Sequence, residues 1–374
     1  MKTVAIIGCG QLAMMMAQAA KKIGLHVSFV AYDNEDVRSV SNLGKIVRYS
    51  RGKSVAKLFK DLGEPEVVTV EREQVDVALL HELSDFCQVH PNPDAVKVTQ
   101  NRIYEKELLQ HFGFAVAPYK KVRNVDDLLC AFTSLYPPLF VKHPTSGYDG
   151  KNQWRLNSIG DLEKITIPEK SFPLVAEEKV PFLYEASLIA ARSKAGEIRY
   201  YPPTVNEHKE GILLKSYTTD NKKINRQILP ARKIMATLLE HWDYVGVLSL
   251  ELFCTEDGLI VNELAPRVHN SGHWTMDGCS CSQFENHIRA ITGKKLGDTK
   301  AQFPAGMVNL LGVDSAPKQF ASNSKIYWYN KTPKPKRKMG HINIVDEDNV
   351  QLEEKQNFLI QEIYSNSELP KKSA

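Results

Sequence analysis

Two glutamates, Glu251 and Glu263, lie on either side of a turn signal in the segment from Gly246 to Arg267. The runs Gly-Val-Leu-Ser-Leu-Glu-Leu-Phe-Cys and Leu-Ile-Val-Asn-Glu-Leu-Ala flank Thr-Glu-Asp-Gly, a pattern that predicts a β-hairpin. With Glu256-Asp257-Gly258 as the loop, Thr255 pairs with Leu259, and counting back sets Glu251 opposite Glu263. Leu248, Leu250, Leu252 and Cys254 then form one apolar face, which leaves both carboxylates on the other. Like charges directly opposed in a sheet destabilise it by up to about 1 kcal/mol. A hard cation removes the repulsion, so the chemistry expected of such a pair is holding Mg²⁺ against nucleotide phosphates. The plainer alternative is two solvent-facing glutamates on an exposed sheet. A one-residue slip in register would separate the pair.

A triphosphate also needs cations and backbone N–H donors. Lys142 ends the strand-like run Leu-Phe-Val-Lys, where a charged group needs a partner, and Gly147-Tyr148-Asp149-Gly150-Lys151 offers a glycine loop able to fold over phosphates. No GxxxxGK[ST] sequence occurs. Lys106 lies on an amphipathic helical stretch, where a merely solvated lysine is the commoner reading. Near the N-terminus, Gly8-Cys9-Gly10-Gln11-Leu12-Ala13 matches G-x-G-x-x-A between a strand and a helix, with Asp33 about 20 residues on. That pattern fits either a dinucleotide fingerprint, hence an NAD-binding oxidoreductase, or a tight βα turn that binds no dinucleotide.

The elements that must carry these groups can be read from periodicity. Residues 3–8 predict a buried strand ending at a glycine turn, 11–23 a helix and 26–32 a second strand, a βαβ opening with a parallel sheet behind it. Shorter α/β units continue to about residue 95, where His-Pro-Asn-Pro marks a boundary. A helix over 102–112, strands over 116–122, 138–142 and 174–180, and a helix between the first two of these strands form a small α+β lobe. A larger antiparallel α+β region follows Glu185, and the polar tail Pro370–Ala374 is expected to fray. The expected division is 1–98 (Rossmann-like, parallel sheet), 99–183 (small α+β lid) and 184–374 (antiparallel α+β).

Bulk properties set limits. A chain of 374 residues suggests two or three domains, and 43% hydrophobic residues supply material for real cores. A net charge of +4 from 48 basic and 44 acidic side chains is too even for a nucleic-acid binder and fits small anionic substrates. The one basic run, Lys331 to Lys338, is short and has no stacking aromatic after Tyr329. A membrane helix needs about 20 apolar residues, and no run reaches that length. The N-terminal apolar run is broken by two glycines and followed at once by Lys21 and Lys22, unlike a secretion signal. Six scattered cysteines without a CxxC pair read as buried, reduced thiols of a cytoplasmic protein and give no zinc site.

Taken together and in order, Gly10-Gln-Leu, Tyr104-Glu-Lys106, Gly147-Tyr-Asp-Gly-Lys, Asn206-Glu-His208, Asn262-Glu263 and Ala265-Pro-Arg-Val-His-Asn-Ser-Gly-His-Trp-Thr275 resemble one family. It is that of the 5-(carboxyamino)imidazole ribonucleotide synthases, the PurK-type enzymes of the ATP-grasp superfamily. Lys338-Met-Gly-His341 adds a further match, so the resemblance spans residues 4 to about 345.

The resemblance implies an ATP-grasp fold and an enzyme that joins bicarbonate to the amine of aminoimidazole ribonucleotide, using ATP and Mg²⁺, through carboxyphosphate. It implies a homodimer, no nucleic acid and no membrane. Lys106 and Lys142 would then hold ATP phosphates, which reverses the solvated reading of Lys106. Gly147, Tyr148, Asp149, Gly150, Lys151, Asn152 and Gln153 would form a loop over the nucleotide. Glu177, Glu178, Lys179 and Val180 would line the adenine, Glu185 would take the ribose hydroxyls, and His208 and Asn262 would also contact ATP. Glu251 and Glu263 would be the Mg²⁺ ligands. Tyr148 and Asp149 would orient the imidazole, Arg267 and His269 would serve bicarbonate or the substrate, Lys331 and Arg337 would anchor the ribose phosphate, and Glu73 would reach the substrate from the first domain. Three departures stand out: Gly8-Cys-Gly-Gln-Leu-Ala13 stands where the family usually has three glycines and a later Gly-Arg, Ala265 replaces an asparagine common before the arginine, and Lys334-Pro-Lys-Arg337 replaces the usual Arg-Pro-Gly-Arg.

Overall fold

The protein is described by a computed structural model over residues 2–145, 153–162, 171–317 and 321–364. Its first sheet comprises β1 (Thr3–Ile7), β2 (His26–Tyr32), β3 (Lys45–Tyr49), β4 (Val67–Val70) and β5 (Gln88–Val89), all parallel, in the order β3-β2-β1-β4-β5. Its central strands are near-continuous Val, Ile and Ala runs because both faces are covered. The helix Gln11–Lys22 packs through Leu12, Met15 and Met16 on one face, and Leu58, Leu79, Leu80 and Leu83 cover the other. The order in which strands are added to the sheet reverses between β1 and β4, so the Gly8–Gly10 turn and Glu71–Glu73 meet at the carboxyl ends of these two parallel neighbours. That crevice is where open α/β sheets present their binding groups.

A second, antiparallel sheet of β6 (Tyr119–Val122), β7 (Leu139–Lys142), β8 (Gln153–Leu156) and β9 (Leu174–Glu178) runs in the order β6-β9-β7-β8. The helix Val125–Ser134 covers it through Leu128 and Ala131. The third sheet is also antiparallel: β10 (Tyr184–Arg192), β11 (Ile198–Tyr200), β12 (Thr204–Lys209), β13 (Ile212–Thr218), β14 (Gly246–Cys254), β15 (Leu259–Ala265), β16 (Ala305–Leu311), β17 (Ser324–Trp328) and β18 (Lys338–Val345). Its order is β15-β14-β10-β12-β13-β16-β18-β17, with β11 beside β10.

Alternation sets which side of this sheet is core. Leu248, Leu250, Leu252 and Cys254 of β14 are buried with Leu238, Leu239 and Met235 of the helix Ala231–His241, which leaves Glu251 on the opposite face. The core under the first sheet does not stop at that domain. It continues through Phe284 and Ile288 of the helix Gln283–Ile291 to Val247 and Val268, so the crevice of the first domain is packed rigidly against the third sheet. A last helix, Asn349–Tyr364, docks Leu352 and Leu359 on β16 and β18. The sequence reading did not anticipate it, and the tail Pro370–Ala374 lies outside the described residues. All six cysteines are free, but Cys130 is exposed rather than buried as expected. Among the described residues no helix is long and apolar enough to cross a membrane.

Candidate active site

Glu251 does stand directly opposite Glu263, although not by the route the residue count took. The turn closes one residue earlier than expected: Cys254, not Thr255, pairs with Leu259, and the Thr255 N–H donates to the Gly258 carbonyl at 2.9 Å. A β-bulge then leaves Asn262 as the extra residue on β15, between the Leu252–Val261 and Glu251–Glu263 pairs. The two one-residue offsets cancel.

The opposed carboxylates are electrostatically unlike. Burial pushes Glu251 up, but the hydrogen bond from His269 Nε2 (3.1 Å to Oε1) and the charges of His269, His208 and Lys338 more than offset it and bring the group down to about 2. Glu263 is raised, first by burial and also by the charge of Glu251, with Arg102 opposing at 3.9 Å. Its side chain is 42% exposed, so solvent and anything bound in the cleft can reach it. Beneath it, the buried Glu105 accepts the Leu264 N–H at 3.1 Å, and burial plus the charge of Glu263 push it well above the usual carboxylate range. This concentration of negative charge fits a hard dication. Among the described residues no group of three or more His, Cys, Asp or Glu gathers around a metal position, so phosphate and water oxygens must complete the coordination of any Mg²⁺ held by the two glutamates.

Lys106 is 3% exposed, which overturns the view of it as a solvated helix-face lysine. Its ammonium and that of Lys142, at the end of β7, converge on the buried Glu177 of β9, at 3.4 Å and 2.8 Å. Burial would raise Glu177, but Lys142 and Lys106 hold it down to about 2. Two lysines focused on one carboxylate are two cations positioned for a phosphate. Glu178 turns away, accepting the Tyr136 N–H at 2.9 Å, while the amides of Glu178 and Lys179 donate to the carbonyls of Pro118 and Pro138. Val180 is buried and Gln153, the first residue of β8, is exposed. The remaining loop residues, Gly147, Tyr148, Asp149, Gly150, Lys151 and Asn152, lie outside the described residues.

Across the cleft, His208 of β12 shares a hydrogen bond with Glu185 of β10 at 2.8 Å. Burial lowers the imidazole, yet Glu185 and Glu251 outweigh it, so His208 titrates above its usual value. Arg267 sits just past β15, and its Nε donates to Glu73 of the first domain at 2.6 Å, both side chains being largely buried. Burial raises Glu73, but Arg267 brings it down to about 2. His269 is fixed from both sides. Its Nδ1 meets Ser271 Oγ at 2.8 Å, its N–H donates to Gln283 Oε1 and its carbonyl accepts from Gln283 Nε2. His273 and Trp274, from the same run, are buried beneath the cleft rather than facing it.

Lys331 and Arg337 flank the first domain. Lys331 donates to Gln11 Oε1 at the N-terminus of the helix Gln11–Lys22, and burial lowers it to about 8. Arg337 donates to the Thr332 carbonyl at 2.9 Å and lies 3.8 Å from Asp36.

The N-terminal glycine turn is closed to a dinucleotide phosphate. Glu71 inserts its carboxylate there, accepting the Gly10 N–H at 2.7 Å and the Ala13 N–H at 3.0 Å, while Glu35 accepts the Cys9 N–H at 3.1 Å. A Cβ on Gly8 would lie 2.4 Å from Glu71 Cγ, and one on Gly10 2.9 Å from Glu71 Oε1. Asp33 is engaged with Ser50 Oγ at 2.5 Å. The glycines therefore serve close approach of the protein's own glutamate, and the oxidoreductase reading loses its phosphate site.

Sequence reasoning missed Arg102 and Glu105, left the role of Glu71 open, and gave Lys338 only as part of a matching motif. Arg102 and Glu105 flank Lys106 on one helix at spacings of four and one, a signal readable only once Lys106 is known to be buried.

Comparison with known proteins places this cleft in context. Residues 1–100 match the ribonucleotide synthetase preATP-grasp domain, 107–284 the ATP-grasp domain, and 305–355 the phosphoribosylaminoimidazole carboxylase C-terminal domain. The N5-carboxyaminoimidazole ribonucleotide synthase of Vibrio cholerae is 35% identical over 367 residues, covering 94% of this chain and 93% of that protein. The crystal structure of the Thermus thermophilus N5-carboxyaminoimidazole ribonucleotide synthetase superposes with a TM-score of 0.89 at 32% identity, over 99% of this chain and 100% of that one. The Aspergillus clavatus N5-carboxyaminoimidazole synthase, in complex with ADP and 5-aminoimidazole ribonucleotide, superposes with a TM-score of 0.84 at 27% identity, over 97% of this chain and 98% of that one.

Proposed function

The chain belongs to the N5-carboxyaminoimidazole ribonucleotide synthase family, and on that premise we propose how its cleft carries out ATP-dependent carboxylation of 5-aminoimidazole ribonucleotide with bicarbonate. The observation that carries the reading is the face-to-face pair Glu251–Glu263, which feels the charges of Arg102, Glu73 and Arg267, together with the lysine pair on Glu177, which also feels Arg102. Nucleotide chemistry and acceptor chemistry thus share one trough.

Lys106 and Lys142 take the ATP phosphates in place of Glu177. Glu185 and His208 take the ribose, the 177–180 strand end and Asn262 border the nucleotide, and residues 147–153 close over it. Glu251 and Glu263 would hold Mg²⁺, which when bound would supply positive charge to neutralise the phosphate oxygens. A bicarbonate oxygen attacks the γ-phosphorus and ADP leaves, giving carboxyphosphate. The substrate amine then attacks the carboxyl carbon, phosphate departs, and the amine gives up one proton. Arg267, held rigid by Glu73 through Nε, presents its remaining guanidinium N–H groups as fixed donors to bicarbonate and its phosphorylated form. His269, held by Ser271 and Gln283, would serve there by exchanging its Nε2 bond to Glu251. Preorganised donors of this kind are usually the largest catalytic term. Closing the trough excludes water from an intermediate that water destroys. Tyr148 and Asp149 orient the imidazole, and Lys331 and Arg337 hold the ribose phosphate. The chain acts in the cytoplasm as a homodimer, divided near residues 98 and 183.

The test is ADP release with ATP, Mg²⁺ and bicarbonate, with and without aminoimidazole ribonucleotide. Strong stimulation by the ribonucleotide is expected. ATP binding with bicarbonate-dependent turnover that ignores the ribonucleotide would assign a different acceptor.

A further inference from the structure

The loop that carries Lys331 and Arg337 closes on a segment of the first domain that no sequence motif singles out. Arg38, in the short helical turn after Asp36, donates through Nη2 to Thr332 Oγ1, while Arg337 donates to the carbonyl of the same Thr332 at 2.9 Å. Arg38 also grips Asp36 with Nε and Nη2 at 2.9 Å and 2.7 Å, and Arg337 Nη2 lies 3.8 Å from the same Oδ2 that Arg38 Nη2 contacts. Next to it, Ser39 Oγ donates to the Tyr329 carbonyl at 2.6 Å, and Lys331 meets Gln11 at a helix N-terminus. Three cations from two distant parts of the chain therefore converge on one corner, with a single carboxylate shared by the two arginines.

An exposed aspartate–arginine pair two residues apart contributes little by itself, and Arg38 is 53% exposed. Its contact with Thr332, nearly three hundred residues away, makes it more than a local pair. A carboxylate shared by two guanidinium groups marks a place for an anion. A phosphate monoester, with more charge and more oxygens than Asp36 offers, suits that fork better.

We propose that Arg38 is a third anchor for the 5′-phosphate of the ribonucleotide, acting with Lys331 and Arg337 and supplied by the first domain. The assignment rests on the functional reading above and adds to it a residue that ties phosphate recognition to the docking of two domains.

The experiment compares wild type, Arg38→Ala and Arg38→Lys, reading KM for aminoimidazole ribonucleotide, the Ki of ribose 5-phosphate as a competitor, KM for ATP, kcat and the unfolding temperature. Loss of one charge-assisted hydrogen bond should raise the ribonucleotide KM in Arg38→Ala by about tenfold or more. The ribose 5-phosphate Ki should rise by a similar factor, with kcat and the ATP KM within about twofold of wild type. Arg38→Lys, which keeps the charge but loses the fork, should recover only part of the affinity. An Arg38→Ala enzyme with an unchanged ribonucleotide KM would overturn the assignment. So would a raised KM with an unmoved ribose 5-phosphate Ki, since that pattern marks a loop prop. A wild-type enzyme that ignores the ribonucleotide would sink the functional reading and this assignment together, whereas the first two results sink the assignment alone.

Discussion

The glycine turn of the first domain and the β14–β15 hairpin both carry sequence signals for nucleotide phosphates, and the fold treats them in opposite ways. At the glycine turn the amides of Cys9, Gly10 and Ala13 are taken by Glu35 and Glu71, so the helix N-terminus already holds its anion. At the hairpin, Glu251 and Glu263 face each other, and burial together with the charges of Glu251 and Glu73 raises Glu263 against the opposing charges of Arg102, at 3.9 Å, and Arg267. At one site each carboxylate is bound to backbone amides of its own fold; at the other, two carboxylates face each other with one of them 42% exposed to whatever binds there. A motif shows which groups are present; whether the fold has already satisfied them decides where chemistry happens.

The contrast can be broken or sharpened by substitution. The largest effect is expected at the hairpin, where Glu263→Gln should lower kcat by at least about 10³-fold, roughly 4 kcal/mol. Its unfolding temperature should stay near wild type, because a charge opposed by another charge is removed. Near-wild-type turnover would end the metal assignment. Next comes the clamp between domains. Glu73→Ala leaves Arg267 buried without its partner and should cost about 3 kcal/mol of stability, read by denaturant unfolding. A loss below about 1 kcal/mol would show the pair to be a solvated contact.

A smaller effect concerns pH. Lys331 titrates at about 8, so it carries its charge below that value and loses it above. Because kcat/KM reports free-enzyme groups, the value for the ribonucleotide should fall by up to about tenfold per unit above pH 8, and Lys331→Arg should flatten that limb. A profile unchanged by Lys331→Arg would remove the lysine from substrate binding. The smallest effect belongs to the glycine turn. Glu71→Gln keeps one acceptor for the glycine turn and should cost about 1 kcal/mol of stability, with the KM for ATP within twofold of wild type.

The outcomes at particular residues show what was legible in the sequence. The βαβ opening, the small lobe and the hairpin could be read because period-2 runs and glycine turns are local signals. The facing glutamates were read correctly through two compensating offsets, since a bulge such as that at Asn262 answers to edge packing, here the parallel bridge of Val116 to Val261, rather than to the turn. Lys106 could not be judged from helix periodicity alone, because its burial depends on β9 arriving with Glu177. The role of Glu71 stayed open and Glu105 went unseen for the same reason: each accepts from a backbone amide in an element remote in sequence. The helix Asn349–Tyr364 was missed because its apolar residues do not gather on one face, Val350 and Phe358 being exposed and Gln356 buried, and its docking on β16 and β18 supplies what its own pattern lacks.

The most direct test titrates Mg²⁺·ADP into wild type, Glu263→Gln and Glu71→Gln by calorimetry. The account predicts binding weakened more than tenfold in Glu263→Gln and unchanged within twofold in Glu71→Gln. Full affinity in Glu263→Gln, with affinity lost in Glu71→Gln, would place the nucleotide at the glycine turn and contradict the account.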